Sequence, residues 1–310
     1  MKSFLPAFFS LVILTAIFVN LELTELYKVF SNINLIWFAL GIILFVPIYL
    51  ILAIRLNFLS SFKISMADSI NLILAAGALN TVLPSKGGDL GKAFFMTRYL
   101  DWNKMTCISA VVLERMVDVA VLLILMFAGL AFIEHRTIFV SINILTGGLG
   151  ILPIVIIYFM LNWKNWTVFQ SNRHFRRIPL LSQFYIHSHK FVSAFLWNGR
   201  IWRLIGYSLI SWIIQLVQIY CFFLATGFNG PVITILGLVP IAIIIGLIPI
   251  TLAGIGTRDA ALIILFSPWA STETMAATAL LSHLRYVLPG LIGIPAVQRE
   301  ILKNWGKETA

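Results

Sequence analysis

Acidic residues are scarce in this sequence: Asp and Glu occupy 12 positions against 22 for Lys and Arg, and charged residues make up only 11% of the chain. A soluble domain carries about 25% charged and roughly 45–50% apolar residues, whereas 60% of this chain is hydrophobic and its mean hydropathy is +0.97. Those values exclude a soluble globular protein and require a polytopic membrane protein. Cysteine occurs only as Cys107 and Cys221, both inside apolar segments, which excludes a disulfide framework. Metal-ligand spacing is lacking too, because His187 and His189 stand two apart with no Cys or acid beside them. No nucleophile elbow, paired catalytic carboxylates or metal cluster appears, so the expectation is a protein that is not an enzyme and carries no cofactor. The net charge of +10 does not point to nucleic acid, since the basic residues fall between apolar runs, as the positive-inside rule requires.

The apolar runs predict spans over about Phe4 to Val19, Asn34 to Ile54, Thr106 to Ile133, Ile138 to Leu161, Leu204 to Thr226 and Met275 to Val297. No small-x-small cleavage site follows the first, so it reads as a retained span. Residues 162–203 contain Lys164, Arg173, Arg176, Arg177, Lys190, Arg200 and Arg203 without an acid, which places this basic segment in the cytoplasm. Phe184, Phe191 and Phe195 near helical spacing suggest that part of it lies on the inner leaflet as an amphipathic helix. Counting crossings from there puts both termini, Arg55 and Lys63 inside, and Glu22, Glu25 and Glu134 outside.

Two stretches do not span. Asn80 to Arg98 collects Pro84, Lys86, Gly88, Asp89, Gly91 and Lys92 between apolar flanks. Its arms, Ser69 to Leu83 and Leu90 to Tyr99, are about 22 and 15 Å long as helices against a hydrocarbon core of about 30 Å. A re-entrant helical hairpin follows, with its break buried in protein or facing water. The second stretch, Val232 to Phe266, repeats the pattern: an apolar arm broken at Pro240 and Pro249, then Gly254, Gly256, Arg258 and Asp259, then a short arm. The order is span, span, hairpin, span, and then the same again. The expected fold is an all-α polytopic membrane protein with about six spanning helices and two oppositely oriented re-entrant hairpins. Residues 1–310 form one membrane domain, with 1–133 and 138–298 as an inverted-topology repeat of the kind found in secondary transporters.

The ionisable residues within these segments are the candidate site. Glu114, Arg115 and Asp118 sit inside a long apolar helix, where a charge costs about 2.5–3.5 kcal/mol and the i,i+3 spacing lets Arg115 pair with Asp118. They are either a structural ion pair or the polar lining of a substrate path, together with Arg285 of the last span. The second hairpin arm starts near Asp89 to Gly91, and with Lys86 and Lys92 beside a helix N-terminus, phosphate is the expected guest. The competing account makes Asp89 an N-cap, the glycines packing devices and the lysines surface-seeking. Arg258 and Asp259 admit the same two readings. A P-loop is excluded, because Ala93 replaces the Ser or Thr and no strand precedes it.

Three motifs in order, N-x-x-x-P-x-x-x-G-D-x-G-K at Asn80 to Lys92, L-E-R-x-x-D at Leu113 to Asp118 and G-I-G-T-R-D at Gly254 to Asp259, resemble the lysylphosphatidylglycerol synthase transmembrane region family of flippase-like proteins. The family commonly has Glu where this chain has Asp89 and Asp259, and Arg where it has Lys92. The resemblance implies a lipid flippase or lipid-linked precursor translocase of the cytoplasmic membrane. A membrane lipid or polyprenyl-phosphate-linked substrate would be guided by Lys92, Arg115, Arg258 and Arg285. With the chain ending at Ala310, aminoacylation of lipid is not expected. The alternative is a non-transporting scaffold that docks a membrane glycosyltransferase or lipid-modifying enzyme through the basic segment, and a homo-oligomer is compatible with either.

Overall fold

The computed structural model describes residues 5–19, 21–83, 87–133, 187–188, 190–196, 198–248, 250–251 and 254–308. Pro84, Lys86, Pro249, the expected span at 138–161 and most of the basic segment at 162–203 lie outside the described residues. Those described form helices joined by turns and short irregular links, without strands. The elements are α1 (Leu5–Val19), α2 (Leu23–Ser31), α3 (Leu35–Ile43), α4 (Phe45–Leu59), α5 (Met66–Val82), α6 (Gly87–Met96) and α7 (Lys104–Leu130), followed by α8 (Arg200–Ala225), α9 (Val232–Leu247), α10 (Thr257–Phe266), α11 (Thr272–Ile292) and α12 (Ile294–Glu308).

Polar caps set where the apolar helices begin. The Asn34 side chain accepts from the Ile36 and Trp37 amides, Ser65 from Asp68, Asn103 from Met105 and Ser271 from Thr274. Each satisfies amides that the first turn leaves without a helical partner. Among the described residues three helical stretches are long and apolar enough to cross a membrane: Leu35–Leu59, Arg200–Ala225 and Thr272–Leu302. Counting α1 and α2 as one bent span makes four. Helix α7 has the length, at 27 residues, but carries Glu114, Arg115 and Asp118 on its inner side.

Both short-armed stretches fold as helical pairs. Helix α5 stops at Val82 and α9 at Leu247; the next residues, Leu83 (ψ 136°) and Ile248 (ψ 125°), are extended. Each precedes a proline, whose ring disfavours helical geometry in the residue before it. Pro240, by contrast, does not break its arm: α9 runs through it, and Pro240 is buried among neighbouring helices. Packing can hold a proline within a membrane helix where adjoining groups take up the freed carbonyl. Gly254 (φ +77°) and Gly256 (φ +94°) supply the left-handed backbone that starts α10.

Within each pair the helices pack against each other. Gly87 abuts Leu83 and Gly88 abuts Asn80 further back along α5; Gly254 abuts Gly246 of α9 in the same manner. Helices α3–α4 run antiparallel to α8, from the Asn34 amide bonded to the Ala225 carbonyl (2.9 Å), through Gln218 to the Gly41 carbonyl (2.8 Å), to Arg200 bonded to Ser61 (3.1 Å). The pairs then exchange supports. Helix α9 packs on α7, which follows the first pair, and α5 packs on α11, which follows the second. At the first crossing a Cβ on Gly129 would lie 2.5 Å from the Gly237 Cα; at the second, a Cβ on Gly290 would lie 2.8 Å from Thr81 Cγ2. Small residues of this kind let membrane helices approach backbone to backbone.

The last span extends beyond the expected Val297 as α12, whose start lies against α5 and the end of α6. Tyr99 donates to Glu300 Oε1 (2.6 Å), Arg98 donates to the Glu300 carbonyl, and Arg299 approaches Asp68 at 3.9 Å. Burial, and then the bond to Glu300, hold the Tyr99 phenol above its ordinary pKa, so it remains a donor through neutral pH.

The glycine crossing gives a direct check. Gly129→Val forces backbone apart at the α7–α9 contact and is expected to destabilise by about 1–3 kcal/mol. Gly206→Ala, with nothing within 4 Å of the added Cβ, is expected to keep stability or raise it by up to about 1 kcal/mol through helix propensity. Thermal unfolding of the detergent-purified variants reads the difference, and equal midpoints would contradict a close-packed crossing.

Candidate functional site: a charged cavity between the helical pairs

A cavity of about 170 Å³ lies between the two helical pairs, and its wall includes residues from α4, α5, α6, α7, α8, α9, α10 and α11. One side is a closed network of charge. Arg55 of α4, 1% exposed, donates through Nη1 to Asp118 Oδ1 (2.5 Å) and to Ser208 Oγ (2.9 Å), and through Nη2 to Glu114 Oε1. The other Glu114 oxygen accepts from Lys92 Nζ at 2.7 Å, so Glu114 bridges α4 and α6. Arg115 donates to Asp89 Oδ1 at 2.6 Å and approaches Asp118 Oδ2 at 3.5 Å. Three cations thus meet three carboxylates.

The opposite side is arranged differently. Asp259 Oδ2 accepts from the Gly256 amide (2.9 Å) and meets His283 Nε2 (3.0 Å), while Arg258 Nη2 contacts His283 Nδ1 (2.9 Å). A guanidinium can only donate, so Nδ1 accepts and Nε2 carries the proton given to Asp259. His283 is therefore the neutral Nε2–H tautomer in this arrangement. Arg285, 8% exposed, donates through Nη2 to Gln215 Oε1 at 2.6 Å. Both guanidiniums lie over the ring of Tyr286, at 4.9 Å for Arg258 and 5.0 Å for Arg285.

The three motifs, which carry Asp89, Lys92, Glu114, Arg115, Asp118, Arg258 and Asp259, fall within one sequence match, to the lysylphosphatidylglycerol synthase TM region over residues 3–293. The chain belongs to that family. It is similar to a UPF0104 membrane protein of Methanocaldococcus jannaschii, 26% identical over 343 residues and covering 99% of this chain and 98% of that one. The lysylphosphatidylglycerol synthase TM region family comprises membrane proteins, and the apolar helices described above accord with that class.

Against this family background, the expected residues distribute as follows. Lys92, Glu114, Arg115, Asp118, Arg258 and Arg285 line the cavity, and Asp89, for which a helix cap was one account, joins them. Its carboxylate turns to Arg115 instead. Asp259 stands behind Arg258 and also binds the first turn of its own helix. Arg115 takes Asp89 as its close partner, with Asp118 more distant, because Asp118 is engaged by Arg55. Gly88 and Gly91 pack α6 against α5, and Gly254 packs against α9.

Arg55 is a correction. Sequence reasoning ended its span at Ile54 and placed Arg55 at the cytoplasmic flank, but the helix continues to Leu59 and buries it. The signal was present in Leu56, Phe58 and Leu59, which carry the apolar run past the arginine. Gln215 and Tyr286 had no such signal, because a polar amide or phenol in a span marks no partner by itself.

Arg55→Leu leaves Glu114 and Asp118 short of a countercharge and is expected to cost about 3–5 kcal/mol. Adding Asp118→Leu removes an anion with the cation and restores part of that loss. Denaturant or thermal unfolding of wild type, the single variants and the double variant measures the coupling; strictly additive losses would contradict the network.

Proposed function

We propose that this protein is a lipid flippase or lipid-linked precursor translocase of the cytoplasmic membrane. A phosphate-bearing head group crosses through the central cavity while its acyl or prenyl tails remain in the bilayer. The observation that carries this reading is the convergence of ionisable residues from both helical pairs on one enclosed space in an otherwise apolar protein. Charges in a membrane segment are costly and mark substrate or ion paths, and those from α6, α7, α10 and α11 face one another here.

The architecture we assign is about six spans with two re-entrant hairpins in an inverted repeat, and with both termini cytoplasmic. The exchange of supports favours it: α5–α6 and α7 correspond to α9–α10 and α11, and each long arm rests on the other half's following helix. Helices α4 and α8 are counterparts in this scheme and run antiparallel, as a two-fold axis lying across the helices would require. An axis along the helices would make them parallel. Inverted halves surrounding a central site suit alternating access.

Catalysis is the weaker reading. Among the described residues each carboxylate lining the cavity is held by a cation, so none is disposed as a general base. In transport, Arg258 and Arg285 attract the anionic group, while the bridged Lys92 and Arg115 keep the opposite wall polar and close to neutral.

Reconstitution into liposomes with fluorescent phospholipid or polyprenyl-phosphate lipid tests the function. Dithionite quenching is expected to show faster exchange between leaflets with protein than without. No acceleration for any lipid of either class would overturn the proposal.

A further inference from the structure

Charge is not distributed evenly around the cavity. On the α6–α7 side the cations and carboxylates match in number and pair off. On the α10–α11 side, two guanidiniums approach the same Tyr286 ring. Asp259 stands beside Arg258, with Nε to Oδ1 at 3.7 Å, and His283 is neutral by the hydrogen-bond argument above. Arg285 is given only the neutral amide oxygen of Gln215, and among the described residues no carboxylate forms an ion pair with it. One positive charge is left over, on a side chain more than nine-tenths buried that faces the cavity.

We propose that Arg285, positioned by Gln215 and Tyr286, is the seat of a singly charged phosphodiester. Charge balance selects the class. A diester brings one negative charge and neutralises the surplus, whereas a phosphomonoester brings about 1.5–2 at pH 7 and a pyrophosphate link at least as much. The excess would lie uncompensated in a low-dielectric space, where an unpaired charge is heavily penalised. The guanidinium fork also suits the two unesterified oxygens of a diester. Asn80, whose buried Oδ1 has no hydrogen-bond partner among the described residues, lines the same cavity and can accept from a hydroxyl of the head group. This assignment deepens the transport reading and rests on it for the lipid character of the ligand.

Equilibrium binding separates the two. Full-length protein in detergent is titrated with dihexanoyl phosphatidylglycerol, dihexanoyl phosphatidic acid and inorganic phosphate, with affinity read by calorimetry. The diester lipid is expected to bind at least about tenfold more tightly than the monoester, and Arg285→Gln to lose at least about tenfold in diester affinity. Arg285→Lys, which keeps the charge without the fork, is expected to retain the diester preference at lower affinity. The wild-type ranking needs no variant to fold. Equal or tighter binding of the monoester, undiminished binding by a folded Arg285→Gln, or inorganic phosphate matching the diester lipid would each overturn the site. Diester binding without accelerated lipid exchange would instead sink the transport reading alone.

Discussion

Glu114 is the residue on which the interior depends. Its two oxygens join Arg55 of α4 to Lys92 of α6 from a position in α7, so one carboxylate ties a spanning helix to a helical pair. Buried ions are costly to remove from water, and mutual attraction offsets that cost only when the remaining donors and acceptors are also satisfied. Here Ser208, Asp118 and Glu114 take the terminal nitrogens of Arg55, and Asp89 takes one of Arg115, while the Nε of each guanidinium has no hydrogen-bond partner among the described residues. The network ties α4, α6, α7 and α8 together.

The same interaction determines what the two sides of the cavity can do. Cations engaged by carboxylates hold their donors in place and present little net charge, so they shape a polar wall. A cation supported by an amide and an aromatic face keeps its charge available. Residues that look interchangeable in sequence, Lys92, Arg115, Arg258 and Arg285, are therefore divided by their partners into structural charges and one surplus charge.

Much of the fold was legible because it follows from local chemistry. Apolar runs placed most of the helices and Pro84 and Pro249 act on the residues before them, while caps at Ser65, Asn103 and Ser271 start their helices a few residues ahead of those runs. Pro240 misled, since whether a helix yields to an internal proline depends on neighbours remote in sequence. The charged motifs marked candidate site residues and the i,i+3 pair of Arg115 with Asp118 at 3.5 Å, but not the closer partners that tertiary packing delivers, Asp89 to Arg115 and Arg55 to Asp118. Arg55 was hidden by the habit of reading a basic residue after an apolar run as its end. The glycine crossings were invisible in the sequence, because helix contacts of this kind require small side chains at spaced positions and not any one motif.

The crossing of α5 with α11, braced at Gly290 and Thr81, bears on how the chain is assembled. Helix α5 leaves the ribosome long before α11 exists, so the first pair enters the bilayer without the surface it finally rests on. The first pair cannot then mature alone. Completion waits for the last span, and any truncation before α11 strands a buried face of the first pair in lipid, exposed to the cell's quality control.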